Sequence, residues 1–345
     1  MLQRWLNLSG KILAANFGRL DAPFKLTFVV TKECHSKCVN CLIWQVKPSG
    51  ELTLDEIRQF AKNSPYLSWI DFTGGEPTDR DDFVELVGAF VENCPHLLFV
   101  HFPTNGLKTK RIAEMAQRIA SLRGPRLVVS VSIDGPREVN DRLRGIPGDF
   151  ERAVDTFARL KELKRVRSYI GMTLYRENVS LIEQTVSEIQ AKLPSFHFRD
   201  LHVNLSQVSP HFYENSAIPL DPTPEMNAAI DRLMKRRGMP RSLFDFVERM
   251  YHRRVRQYLA TRECPQDCAS LMASVYLSEQ GTVYPCLVWN EPLGNIRDTN
   301  YSLEPILRSS RAGELRRQLL LKQCPNCWTP CEAYQTLASN ILKWN

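Results

Sequence analysis

The sequence predicts an α/β fold in which six strand–helix units are followed by a small cysteine-rich module. Three observations carry this reading. Six short β-type runs recur at regular intervals, at residues 26–30, 69–72, 98–102, 127–131, 169–174 and 201–205. Amphipathic stretches at 54–63, 81–93, 109–122, 150–163 and 179–192 separate them, and strand–helix alternation indicates a parallel sheet. Nine of the ten cysteines fall in two groups, three near the N-terminus and six from position 264 onward. Six units are too few to close an eight-stranded barrel. They form either an open, partial barrel or a doubly wound sheet, and in both the chemistry gathers beyond the C-terminal ends of the strands.

A chain of 345 residues with 43% apolar and 24% charged residues can pack a core and is not disordered. It divides into an N-terminal amphipathic helix (1–22), a core (23–207), a Pro-rich connector with basic helices (208–262) and the cysteine module (263–345). No apolar run approaches the ~20 residues of a membrane span. The opening residues, broken by Arg4, Asn7, Lys11 and Asn16, lack a signal-peptide core. The expected compartment is therefore the cytoplasm, where disulfides are rare and clustered cysteines point to metal or catalysis. A net charge of +7 is too weak a bias to call for nucleic acid.

Along the chain, the apolar positions 2, 5, 6, 12, 13, 17 and 20, interspersed with Arg4, Lys11 and Arg19, suit a helix covering the open bottom or side of a barrel. Rest on a membrane surface is the less favoured alternative. Thr53 and Asp79 are candidate helix caps, and Cys94 reads as core packing. The segments CHSKCVNC, TGGEPTDR, PTNG and SIDGP follow the first four strands and share one rim. Strand five ends in Tyr175 to Asn178 and strand six in Ser206-Gln207. Tyr175, Asn204 and Gln207 are placed to face a cavity. Beyond the Pro-rich stretch 210–224, Lys235-Arg236-Arg237 and Arg249, His252, Arg253, Arg254 and Arg256 form a basic region. It could grip phosphate, an acidic peptide or a membrane, and a solvated helix face is the simpler reading.

Cys34, Cys38 and Cys41 have the spacing C-x3-C-x2-C. Three thiolates can hold three corners of a [4Fe–4S] cubane and leave the fourth iron open. The alternative is zinc, completed by His35 or His101. Gly74-Gly75 either lets backbone approach a ligand or makes a tight turn. In the second group, Cys268 and Cys286 flank a hairpin signal centred on Glu279-Gln280-Gly281. Cys324 and Cys327 form a C-x2-C knuckle, and Cys331 follows. A structural zinc ribbon is the alternative here. Trp328, Tyr334 and Trp344 are expected to pack around the knuckle.

Over roughly residues 24–207, the three-cysteine loop, the Gly74-Gly75-Glu76-Pro77 segment and the six units together resemble the radical S-adenosylmethionine (radical SAM) superfamily, whose fold is a partial (β/α)6 barrel. The resemblance implies that Cys34, Cys38 and Cys41 hold a cluster that binds SAM. It implies that Gly74, Gly75, Glu76 and Pro77 receive the methionine amino group, and that Asn105, Ser132 and Arg144 add contacts, Arg144 to the carboxylate and Ser132 to the ribose. Local turn bonding is the alternative for Asn105 and Ser132, and a solvated helix end for Arg144. Asn40 departs from the family, which often has an aromatic residue there. The C-terminal module resembles the SPASM and twitch extensions of these enzymes. A full SPASM extension has seven cysteines, and this chain has six. The resemblance assigns one auxiliary [4Fe–4S] cluster to Cys268, Cys286, Cys324 and Cys327, with Cys264 and Cys331 as alternative ligands.

The implied activity is reductive cleavage of SAM to a 5′-deoxyadenosyl radical that abstracts hydrogen from a substrate carbon. The auxiliary cluster would take the second electron or bind substrate. A peptide or protein side chain is the first substrate class, with a small sugar-like alcohol or a phosphate-bearing lipid or glycan precursor as alternatives. An electron donor such as flavodoxin or ferredoxin is implied. The competing class is a non-catalytic Fe–S or zinc protein.

Overall fold

The computed structural model describes residues 1–218 and 225–343. Part of the Pro-rich stretch (219–224) and Trp344 lie outside the described residues. Strands β1 (Lys25–Thr31), β2 (Trp69–Gly74), β3 (Phe99–Thr104), β4 (Arg126–Ser132), β5 (Val166–Leu174) and β6 (Leu201–Leu205) pair in chain order, each parallel to the next. A doubly wound sheet reverses its strand order at a switch point. Here no reversal occurs among β1 to β6, so right-handed crossovers place their helices on one side. The fold is the open, partial barrel.

The helices are α1 (Leu2–Asn16), α2 (Leu54–Lys62), α3 (Phe83–Asn93), α4 (Thr109–Ser121), α5 (Arg137–Arg144), α6 (Asp149–Lys161) and α7 (Ile182–Lys192). The Thr53 cap forms as expected, as a full capping box with Glu56. Asp79 does not cap α3, which Asp82 precedes; its carboxylate instead pairs with His35 (2.6 Å) and Lys108 (2.7 Å). Helix α5 was not readable in the sequence. Its eight residues are mostly charged and offer Val139 and Leu143 as the only apolar pair.

After β6 come α8 (Glu225–Arg237) and α9 (Leu243–Thr261). The cysteine module contributes β7 (Ser274–Leu277), β8 (Thr282–Tyr284), β9 (Gly294–Asn295), α10 (Glu304–Leu307), α11 (Ser310–Leu320) and α12 (Pro330–Ser339). The hairpin β7–β8 forms as expected, with Gly281 at φ +85 in its turn. The module's strands extend the barrel's own sheet: β7 pairs parallel with the free side of β1, giving nine strands in the order β6-β5-β4-β3-β2-β1-β7-β8-β9.

The two faces of the barrel sheet differ in chemistry. The helix side carries the packed core, where Phe28, Phe60, Phe72 and Phe90 interlock with ring centroids 5.6–6.5 Å apart. Cys94 joins this core, fully buried, its thiol donating to the Ser64 carbonyl (3.2 Å). The concave side alternates to polar residues, among them Asp71, His101, Ser130, Tyr169 and His202, which face a lumen. Helix α1 covers the N-terminal ends of the strands, with Leu8 and Ala15 packed on Phe24, Leu98, Ala269 and Ala273.

Candidate active site

The Cys34–Cys41 loop leaves β1 and is braced on three sides. From β2, Gly75 N–H donates to the Thr31 carbonyl (2.8 Å) and Glu76 N–H to the Glu33 carbonyl (2.7 Å). From the end of α5, the carbonyls of Arg144 and Leu143 accept from Lys37 and Val39 N–H (both 2.9 Å). From the connector, Asn215 Nδ2 donates to the Asn40 carbonyl (2.8 Å), and the Tyr213 carbonyl accepts from Leu42 N–H (2.8 Å).

The glycine pair has a steric reason. A Cβ on Gly74, which sits at φ +143, would fall 2.1 Å from the Thr31 carbonyl oxygen, and one on Gly75 would fall 2.0 Å from that of Glu33. The obstacle is backbone in both cases, so no side chain can swing away. Gly75→Ala is expected to push the cysteine loop off β2, costing about 2–3 kcal/mol of stability and most of the SAM affinity. Thermal melting and equilibrium dialysis with SAM check this.

Glu76 is buried, and its carboxylate accepts from Thr78 Oγ1 (2.5 Å) and from Asn105 N–H (2.6 Å). It thereby ties the second rim loop to the third, and burial raises its pKa. Asn105 Oδ1 accepts from Leu107 N–H (3.0 Å), which is the local turn bond. Ser132 ends β4, half-buried. Arg144 is no solvated helix end: it is 8% exposed, and Nη1 donates to Asp134 (3.1 Å). Its Nε lies 3.5 Å from Asp149 and is buried without a hydrogen bond. Asp134 also accepts from Thr173 N–H (2.8 Å), so it links α5 to β5. His35 Nδ1 is bonded to Asp79, and His101 Nε2 to Ser130 and Tyr169. Burial pushes the Cys34 and Cys41 thiols up to about 12 and raises Cys38 as well. Metal binding there must displace protons.

Five of the six C-terminal cysteines gather. Cys268 is the centre: it neighbours Cys264 and lies within electrostatic reach of Cys286, Cys324 and Cys327. Asn326, at φ +51 inside the knuckle, accepts from Cys264 N–H (3.2 Å) and donates to the Cys324 carbonyl (2.9 Å). Cys331 stands apart at the start of α12, where its surroundings are Lys25, Asp71 and Glu332. Spacing alone could not separate it from the knuckle. Among the described residues no three His, Cys, Asp or Glu converge tightly enough for a single metal ion. A cubane spreads its ligands over separate corners and does not ask for that convergence. Trp328 packs beside the knuckle, stacked on Tyr251 with centroids 6.1 Å apart, whereas Tyr334 turns into the barrel and stacks on Trp69 at 6.4 Å.

The lumen holds a network of candidate functional residues that the sequence did not reveal as one group. Two carboxylate–imidazole–phenol sets face each other. In the first, Asp71 lies 3.5 Å from His101, whose Nε2 is 3.2 Å from the Tyr169 hydroxyl. In the second, Glu248 accepts from His202 (2.5 Å) and from the Tyr334 hydroxyl (2.6 Å). Rings of Tyr169 and His202 sit 5.6 Å apart and join the sets. A cavity of about 400 Å³ opens beneath them toward the N-terminal end of the strands. The signal was the alternation in WIDFT and FVHFP, where Asp71 and His101 fall on the face opposite the core residues Ile70, Phe72, Val100 and Phe102. Of the three residues read as facing a cavity, Tyr175 is buried and Asn204 and Gln207 are half-buried, and Asn204 Oδ1 has no hydrogen-bond partner.

Such a barrel, with a three-thiol loop on its C-terminal rim and a second thiol group in the module whose β7 pairs with β1, has the ligand chemistry of an iron–sulfur protein. Residues 28–189 match the radical SAM superfamily, and residues 268–328 match SPASM, an iron-sulfur cluster-binding domain. The two spans together take in well over half of the chain, which thus carries a radical SAM region followed by a SPASM-type module. Its cofactors are [4Fe–4S] clusters and SAM. The chain is 33% identical over 169 residues to the mycofactocin maturase MftC of Mycobacterium tuberculosis, covering 48% of this chain and 41% of that one. It is 31% identical over 172 residues to an AdoMet-dependent heme synthase of Methanosarcina barkeri, covering 48% and 46%. These matches thus span less than half the length of either relative. Among solved structures, anSMEcpe with bound AdoMet superposes with TM-score 0.60 at 16% identity, over 92% of this chain and 98% of that one. Streptococcus suis SuiB bound to precursor peptide SuiA gives 0.59 at 13% identity, over 97% and 76%. No helix among the described residues is long and apolar enough to cross a membrane.

Proposed function

We propose that this chain abstracts a hydrogen atom from a peptide or protein substrate held in the barrel lumen, and that its C-terminal cluster serves the same turnover. The observation that carries this is the placement of the three-thiol loop on the C-terminal rim of a barrel whose interior carries polar side chains. The residues fit the cluster: three thiols stand on one loop, which packs so closely on Gly74 and Gly75 that its backbone occupies their Cβ positions. When bound, SAM and the reduced cluster supply a 5′-deoxyadenosyl radical. Cys34, Cys38 and Cys41 hold the cluster, and the Gly74–Pro77 segment presents backbone to SAM. We assign Arg144, paired with Asp134 and Asp149 beneath Cys38, a bracing role before any role toward the SAM carboxylate. His101, oriented by Asp71, is the lumen group suited to accept the proton when an oxidised product forms. Resemblance to a maturase and to a fold neighbour solved with its precursor peptide supports a peptide substrate. The 400 Å³ cavity, of the size that takes a small molecule, together with the resemblance to heme synthases, supports the second reading.

For the auxiliary cluster we assign Cys268, Cys286, Cys324 and Cys327, with Cys264 nearest as an alternative and Cys331 outside the set. Anaerobically reconstituted protein is expected to hold about eight irons per chain and to form 5′-deoxyadenosine with dithionite. Cys286→Ala is expected to lower iron by about four per chain, and Cys331→Ala to leave it unchanged. Zinc in place of iron, with SAM intact, would discard the reading.

A further inference from the structure

Among the described residues, nothing covers the outer face of α1. Its inner face packs on the barrel through Trp5, Leu8, Ile12 and Ala15. Leu2, Leu6, Leu13 and Phe17 form one helical stripe on the opposite side and are 75%, 64%, 52% and 62% exposed. Gly10 lies between them with open space around it. The stripe continues into Ile341 and Leu342, both exposed, because Leu342 N–H is anchored to Asn16 Oδ1 at the end of α1 (2.9 Å). Six large apolar side chains on one face is more than scattered surface hydrophobes account for.

A second apolar cluster borders the same cavity. Phe99 is wedged between Trp5 of α1 and Phe244 of α9, with centroids 5.4 and 5.8 Å away. Around Phe244, Met239, Leu243 and Phe246 are exposed. Both clusters sit among positive charge. Residues 1–20 contain Arg4, Lys11 and Arg19 and no Asp or Glu, with Lys11 turned in to Ser68; beside the second cluster stand Lys235, Arg236 and Arg241, while Arg237 is turned in to Glu248 and Asp245 is the one acid between Phe244 and Phe246. The cavity mouth between them lies at the N-terminal end of the strands, opposite the cysteine rim.

We propose that this end of the barrel docks on an anionic lipid surface, with α1 lying in the plane of the interface. An apolar stripe sunk into the headgroup–acyl boundary, with basic residues meeting anionic headgroups, is the arrangement of an interfacial helix. Charge favours lipid over a second copy of this chain, since a symmetric dimer through α1 would set basic face against basic face. Docked this way, the cavity mouth opens toward the lipid, and the cysteine rim remains free for an electron donor. The proposal does not depend on the substrate reading above.

The test is co-sedimentation of the full, reconstituted chain with vesicles of phosphatidylcholine alone or with about one third phosphatidylglycerol. The expected result is binding to the anionic vesicles at least about tenfold tighter than to the neutral ones, weakened by added salt. Leu6→Ser with Leu13→Ser is expected to weaken it by about tenfold or more, with iron content and SAM cleavage unchanged. Absence of binding to either vesicle overturns the proposal, as does binding that the double variant leaves intact. A dimer in light scattering that the double variant dissolves, without vesicle binding, also overturns it and assigns the stripe to a second copy.

Discussion

Cys38→Ala is expected to abolish 5′-deoxyadenosine formation and to remove about four irons per chain, while the C-terminal cluster stays. Cys38 sits at the middle of the braced loop, with Arg144, Asp134 and Asp149 around it. Two remaining thiols leave two cubane corners without protein ligands. The loop's own supports, Gly75 N–H to Thr31 and Val39 N–H to Leu143, do not involve the thiol, so the barrel should melt within a few degrees of wild type. Iron analysis, melting and product assay on one anaerobic sample separate loss of the cluster from loss of the fold. Retained SAM cleavage in this variant would sink the cluster assignment.

The largest expected loss of stability comes from Lys25→Met. Lys25 is fully buried at the start of β1, bonded to Asp71 (2.9 Å), to Gln335 Oε1 (3.1 Å) and to the Cys331 carbonyl. Burial alone would lower its pKa, but Asp71 and Glu332 raise it on balance. Burial alone would likewise raise Asp71, but Lys25 and His101 hold it well below the usual carboxylate range. Removing the lysine leaves a buried, unpaired carboxylate, which costs about 3–5 kcal/mol. Denaturant titration should show that loss, and adding Asp71→Leu should recover a good part of it. If Lys25→Met alone melts like wild type, the pair contributes little. The sign with pH follows from the two shifts. The depressed Asp71 contributes stability above its unfolded pKa, about 3.9, that is lost as pH falls further. The raised Lys25 contributes stability below its unfolded value, about 10.4, that is lost as pH rises through its folded pKa. The pair should therefore stabilise fully between roughly pH 4 and 10, and the variant's deficit should shrink in acid.

What the sequence made legible followed from local rules. Strand β6 falls at the residues read for it, and the other five strands differ only at their ends, because β-branched runs between amphipathic helices leave little freedom. Thr53 capped its helix since Glu56 lies three residues on. The three-cysteine loop and the hairpin before Cys286 were legible because spacing along the chain is itself the geometry. Three features were not. Asp79 looks like a cap by type, but His35 and Lys108 reach it from other loops. Cys331 looks like part of its knuckle, yet the first turn of α12 carries it toward Lys25. The paired sets of Asp71, His101 and Tyr169 with His202, Glu248 and Tyr334 depend on contacts across six elements. The basic run was legible only as charge: His252 turns inward to the Val203 carbonyl (3.1 Å) and Arg237 to that of Leu201 (2.6 Å), so part of it is internal architecture.

The pairing of β7 with β1 bears on how the chain is made. Strand β1 is complete early in synthesis, yet its second neighbour is encoded ~240 residues later. At ordinary elongation rates of about 5–20 residues per second, that flank stays open for roughly 12–50 s. It is an unpaired edge of sequence KLTFVVT, the kind of strand that recruits other chains. Lys25 waits beside it for Gln335 and the Cys331 carbonyl, both still unmade. The nascent barrel should therefore need a chaperone until the last quarter of the chain emerges, and trimming that quarter away should yield aggregates in place of a minimal enzyme.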